Sequence, residues 1–245
     1  KKLDTVYTAN SIQISKQVTF KEYKVYLEAM KKDSGNAFYK SQLPDSNMCS
    51  QKSYNEYIGS EKYDDFPVAG VTWEAAMNYC RWKTIKENNG DTVHFIYRLP
   101  HLNEWLLPVN YFNKVNEKND FNTYLSDWLI NSKDESIYDF ENGNATNFFG
   151  YTYFSNLKKD PPVMLRKMVV GDSYKFQFKN LMDYIGMSYY QYEGYAHVGF
   201  RYVKIPLERV HLNEKFIGHP IRKYTGVSRD HKLAAIEWEL IIPQK

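Results

Sequence analysis

A mixed fold of helices and short strands, joined by long irregular connections, is what this sequence predicts. Three observations carry it. Two stretches of helical periodicity each open on a capping threonine, Thr19 and Thr72. Short alternating or apolar runs at 12–18, 93–99, 163–170, 174–178 and 198–205 read as strands. Tyr, Phe and Trp make up 17% of the 245 residues, which suits irregular folds and interfaces better than a leucine-rich bundle.

In order along the chain, Ile12, Ile14 and Val18 alternate with polar residues and form the first strand. Thr19 then offers an N-cap with Glu22 three residues on, a capping box. Tyr23, Tyr26, Leu27 and Met30 follow at helical spacing, and the helix stops near Gly35. Residues 34–65 are polar and read as loop. Pro67 punctuates, Val68 to Val71 is a short apolar run, and Thr72 caps a second helix from Trp73 to Glu87. The Asn88-Asn89-Gly90-Asp91 cluster ends it. Val93 to Leu99 is a weakly alternating strand closed by Pro100. Asn103 to Leu107 make one or two helical turns that Pro108 stops. From 109 to 160 periodicity decays into Asn-, Asp- and aromatic-rich chain, which reads as a functional or capping loop if the domain is single. Strands at Val163–Val170 and Tyr174–Phe178 flank Gly171-Asp172, and Val198 to Ile205 forms another. Residues 206–245 read as an extension ending in the strand-like Ala234 to Ile242.

Composition excludes several function classes. Lys and Arg number 32 against 29 Asp and Glu, a net charge of +3, so nothing argues for nucleic acid or an anionic membrane surface. Two cysteines exclude a disulfide framework and a four-cysteine zinc site. Whether Cys49 and Cys80 pair is a matter of geometry. No apolar run is long enough to span a membrane. No signal peptide is visible at Lys1, and a start at Lys-Lys-Leu without Met reads as a processed or partial product.

Three segments stand in a recognisable order: Tyr63-Asp64-Asp65-Phe66-Pro67-Val68-Ala69-Gly70-Val71-Thr72-Trp73-Glu74-Ala75-Ala76 with Tyr79-Cys80-Arg81-Trp82; then Tyr97-Arg98-Leu99-Pro100 with Asn103-Glu104-Trp105; then Gly199-Phe200-Arg201. Together they resemble the sulfatase-modifying, formylglycine-generating-enzyme family, whose members read P-V-x-x-V-(S/T)-W, Y-R-L-P-T-E-A-E-W and G-F-R. The resemblance covers about residues 10–205. It implies an irregular α+β fold related to C-type lectins, with long loops, followed here by the C-terminal extension 206–245. The domain is therefore placed at 1–205. The motif residues also have plain structural roles. Thr72 caps a helix whose Trp73, Ala76 and Cys80 face the core. Arg98 meets Glu104 as a charge-assisted pair, Trp73, Trp82 and Trp105 each supply about 150–250 Å² of buried surface, and Arg201 needs a buried partner.

Active members of the family bind copper through two late cysteines in a Gly-Gly-Ser-(Tyr/Trp)-x-Cys-x4-Cys pattern, as soft thiolates suit Cu(I). The matching stretch here is Gly171-Asp172-Ser173-Tyr174-Lys175-Phe176, with Leu181 five residues further, so the expected cysteine positions are Phe176 and Leu181. The family's oxidase chemistry is thus not expected. A sibling branch of the fold that uses histidine-bound iron is not matched either: none of His94, His101, His197, His211, His219 and His231 pair at i, i+4 on a plausible helix. No G-x-S-x-G is present for a serine nucleophile. Calcium is the one metal for which candidates exist, in the oxygen-rich stretch Asp139, Glu141, Asn142 and Asn144, although the family's Gly-Asn-Val-Trp-Glu-Trp calcium segment is not recognisable.

What the resemblance then implies is a non-catalytic structural or interaction subunit. The Tyr63-to-Val71 run looks most like a branch of lipoproteins of Bacteroidota that serve gliding motility and type IX secretion. It implies other envelope proteins of an outer-membrane complex as partners, with a membrane link only through a lipid anchor outside the sequence shown. Ile236, Trp238 and Leu240 alternate onto one face of the extension and read as a partner-binding strand. Packing of that strand on its own domain stands beside this reading. The alternatives are a glycan- or peptide-binding lectin-like module and a metal-dependent oxidoreductase of the same fold.

Overall fold

The computed structural model describes residues 5–9, 12–88, 94–115, 124–132, 166–176 and 187–206. β1 (Thr5–Ala9) and β2 (Ile12–Ser15) pair antiparallel. Thr19 then starts α1 (Phe20–Asp33): its Oγ1 accepts the Glu22 N–H at 3.3 Å, and the Glu22 carboxylate accepts the Thr19 N–H at 2.8 Å. Two amides that the first turn leaves unpaired are thereby satisfied.

Residues 34–65 are not loop but a run of short helices. α2 (Asn36–Gln42) and α3 (Gln51–Gly59) alternate with single 3₁₀ turns at Ser46–Met48 and Glu61–Tyr63. Asp45 and Ser50 cap two of them through side-chain acceptors. One or two aromatics then tie each helix to the core, as where Tyr57 stacks on Phe20 at 4.4 Å. Helices this short carry too few apolar positions for a readable stripe.

α4 (Trp73–Glu87) begins where Thr72 Oγ1 accepts the Ala75 N–H at 3.1 Å. Asn88 closes it and ties it to β3 (Phe95–Arg98): its Nδ2 donates to the Thr84 and Phe95 carbonyls at 2.7 and 2.9 Å. α5 (Leu102–Val115) continues through Pro108, where a stop was expected. The missing Pro108 N–H removes one helical bond; burial of Leu102, Trp105 and Pro108 along one side offsets it.

The region read as irregular holds an interior strand, β4 (Ser126–Ser132). β5 (Arg166–Val170), β6 (Met187–Tyr190), β7 (Val198–Phe200) and β8 (Val203–Pro206) complete the described elements. The run 198–205 is thus two strands, and they belong to different sheets. The first sheet has the order β1-β2-β8-β3, all antiparallel. The second has the order β6-β5-β4-β7, with β7 parallel to β4. Tyr174–Phe176 is a turn and not a strand, closed by the Ser173 N–H donating to the Phe176 carbonyl at 2.8 Å; Gln177 and Phe178 lie outside the described residues. One core joins both sheets to α1 and α4, with Tyr23, Tyr26, Tyr79 and Phe200 at its centre. The tyrosine hydroxyls that reach its edge find acceptors: Tyr23 donates to the Gln42 carbonyl at 2.7 Å and Tyr26 to Gln42 Oε1 at 2.8 Å.

Candidate functional site

The motif residues assemble into two buried ion pairs. Arg201 sits on the chain between β7 and β8, and its Nε donates to Asp127 Oδ2 at 2.7 Å, with both side chains sealed from water. Asp127, on β4, also accepts from Trp105 Nε1 at 3.0 Å and from Gln17 Nε2 at 2.8 Å. One carboxylate therefore ties the first sheet, the second sheet and α5 together. Asp127 and Gln17 are the residues that sequence reading missed; the demand of Arg201 for a buried counter-charge was the signal available. The second pair is Arg98 with Glu104, bidentate at 2.7 and 2.8 Å. Glu104 also accepts the His101 N–H at 2.8 Å, so it closes the first turn of α5. Burial pushes the Glu104 carboxyl up, but the Arg98 charge outweighs it and holds the group below the usual carboxylate range.

Trp73 lies in the core and donates from Nε1 to the Leu129 carbonyl at 2.8 Å. Trp82 departs from expectation: it is half-buried and lines a surface groove. Cys49 is exposed and Cys80 buried, and both are free thiols, so the two do not pair. Burial pushes the Cys80 thiol far up, which keeps it protonated.

The turn after β5 carries Gly171–Phe176, the stretch that the sequence reading sets against the family's cysteine motif. Gly171, at φ 90°, lets the chain leave the strand, and Ser126 Oγ donates to its carbonyl at 2.9 Å. The Phe176 ring meets His197 edge-on at 5.3 Å. His197 Nε2 is bonded to the Tyr189 hydroxyl at 2.9 Å, Tyr189 packs on Tyr195 at 4.2 Å, and Trp128 backs both. Burial, followed by the Lys175 charge, lowers the His197 pKa to about 4, so the imidazole is neutral at physiological pH. This donor set does not fit thiolate-bound copper. A phenyl ring has no lone pair to give, and the imidazole nitrogen that faces the cluster is bonded to a phenol. Cys49 lies close enough to the exposed Tyr174 to add, after burial, to the rise in its pKa. One thiol there is not the family's pair.

The remaining expected residues, Leu181, Asp139, Glu141, Asn142, Asn144, Ile236, Trp238 and Leu240, lie outside the described residues. Among the described residues no group of three or more His, Cys, Asp and Glu is placed to hold a metal ion, and no helix is long and apolar enough to cross a membrane.

The family model described as "Sulfatase-modifying factor enzyme 1-like domain" matches residues 5–205. No curated protein matches the chain. Among solved structures the chain is similar to one described as "Crystal Structure of CarF", at 14% identity over 80% of this chain and 86% of that one, with a TM-score of 0.49.

Proposed function

The chain belongs to the sulfatase-modifying factor enzyme 1-like domain family, and from that membership we propose that it is a non-catalytic member, a structural and interaction subunit of a bacterial complex at the outer membrane. The observation that carries the non-catalytic half is the exchange at Phe176. At the position that the sequence motif assigns to the family's first copper thiolate the chain has Phe176, whose ring packs on His197, and the motif assigns Leu181 to the second. No cysteine follows Cys80 in the sequence. The two buried ion pairs and the capped helices are what a retained scaffold needs, and they need no reacting group. The likeness of Tyr63–Val71 to envelope lipoproteins supports the location, and the alternating Ile236, Trp238 and Leu240 support a partner-binding role for the extension 206–245.

Two experiments test this reading. Copper titration of the purified chain, alone and as Cys49→Ser, is expected to give no stoichiometric site; one copper per chain lost with Cys49 would refute the non-catalytic assignment. Deletion of 206–245, followed by affinity purification from native membranes and mass spectrometry, is expected to release the partners while circular dichroism shows an intact core. Unchanged co-purification would remove the extension from the interface. A second reading, a lectin-like binding module, draws on the groove at Trp82.

A further inference from the structure

A groove of about 440 Å³ runs between the end of α1, the middle of α2 and the outer side of α4, a volume in the range of small-ligand sites. Its floor is pre-arranged by one buried amide. Gln42, 2% exposed, accepts at Oε1 from the Tyr26 hydroxyl at 2.8 Å and from Asn78 Nδ2 at 3.2 Å. Its Nε2 donates to the Phe38 carbonyl at 3.3 Å and to Ser41 Oγ at 2.8 Å. Tyr26, Asn78 and Phe38 all line the groove, so two of its side chains and the backbone of a third are held before a ligand arrives, which lowers the entropy lost on binding. With one Asn78 N–H engaged, its amide keeps a carbonyl acceptor and a second N–H.

The wall is aromatic. Tyr26 and Tyr79 pack on Trp82 at 5.4 and 5.7 Å, and the Lys86 ammonium sits over the Trp82 ring at 4.5 Å from its centroid. That ammonium covers the ring, so a ligand stacking on Trp82 displaces it and replaces its cation–π contact. Phe38, 37% exposed, and Ile85, 49% exposed, flank it. Around this apolar strip stand the Asp33 carboxylate and the Arg81 and Lys86 cations.

We propose that this groove binds a short oligosaccharide of acetamido sugars. A pyranose has a C–H face that lies flat on an indole, and a rim of hydroxyls that both donate and accept. Asp33 accepts from such hydroxyls, the cations donate to them, and Asn78 matches the acetamido amide while its methyl meets Met30 and Ile85. An apolar peptide side chain would fill the strip but strip water from the charged rim without replacing its hydrogen bonds. The proposal rests on the second, lectin-like reading and is independent of the scaffold reading: its failure leaves the exchange at Phe176 untouched.

The test is calorimetric titration of the full chain with the tetramer of N-acetylglucosamine and, in parallel, with maltotetraose. Saturable binding of the acetylated tetramer is expected, about tenfold or more tighter than maltotetraose. Asn78→Ala and Ile85→Glu, both at the groove surface, should each weaken it about tenfold with circular dichroism unchanged, and Trp82→Phe should weaken it while keeping the packing on Tyr26. No saturation up to about 10 mM, equal affinity for the two sugars, or binding indifferent to Asn78→Ala and Ile85→Glu would each overturn the proposal. So would a groove inert to sugar that takes up an apolar tripeptide.

Discussion

Asp127→Ala removes the acceptor that three buried donors share. The Arg201 guanidinium would lose the Asp127 charge at 2.7 Å, and the Trp105 and Gln17 N–H groups at 3.0 and 2.8 Å would lose the same carboxylate. Breaking a buried ion pair by deleting one side costs about 3–5 kcal/mol. Each neutral donor left without an acceptor adds about 1 kcal/mol, less where water enters the space. The expected loss is therefore about 5–7 kcal/mol at most, a large part of the roughly 5–15 kcal/mol that folded domains typically have. Asp127→Asn keeps the shape without the charge and should lose roughly half as much. The double variant Asp127→Leu with Arg201→Met replaces charge by apolar volume and should recover most of the loss, with a coupling energy above about 2 kcal/mol. Urea unfolding followed by circular dichroism reads all of these. Asp127→Ala costing under about 1 kcal/mol, or a double variant equal to the sum of its singles, would refute the view that this carboxylate joins the sheets.

Three further outcomes follow from the geometry. Thr72→Ala, which deletes the acceptor of the Ala75 N–H, should cost about 1 kcal/mol and lower Tm by about 2–4 °C, while Thr72→Ser should be close to neutral in the same melt. His197 titrates near 6.5 when unfolded (about) and at about 4 when folded. In that window the unfolded chain holds a proton that the folded chain refuses, so stability falls as pH drops from about 6.5 to about 4, by at most about 3 kcal/mol. Urea midpoints at several pH values should show this slope, and His197→Gln should flatten it. Gly194→Ala would place a methyl 1.9 Å from the Gly70 carbonyl oxygen, so the two loops must part. A urea midpoint that barely moves would show that they part freely.

Local chemistry made the long capped helices legible: Thr19 with Glu22, and Thr72 before Trp73, are signals that need no tertiary context. Arg98 and Glu104 were legible because strand end and helix start bring them together within a few residues. β4 was not. Ser126-Asp127-Trp128-Leu129-Ile130 lies buried on both faces, so it lacks the alternation that marks a half-exposed strand. Its carboxylate looked like the loop acids around it, and only the fold sets it against Arg201. The run 198–205 failed for the opposite reason. It is apolar enough to read as one strand, yet Arg201 must reach Asp127, and the chain breaks there to pass from one sheet to the other. Polar helices such as α3 stand by end-capping and a few aromatic contacts, which periodicity does not register.

β8 lies between β2 and β3, so the first sheet is completed from its middle by the last of the described strands. During synthesis β2 and β3 both emerge long before β8, and until then each presents a bare hydrogen-bonding edge. Pairings across such sequence distances form slowly, and exposed edges recruit other chains. A nascent chain arrested before Val203 therefore lacks the strand that joins β2 to β3, and truncated chains of that length are the ones most open to edge pairing with other chains.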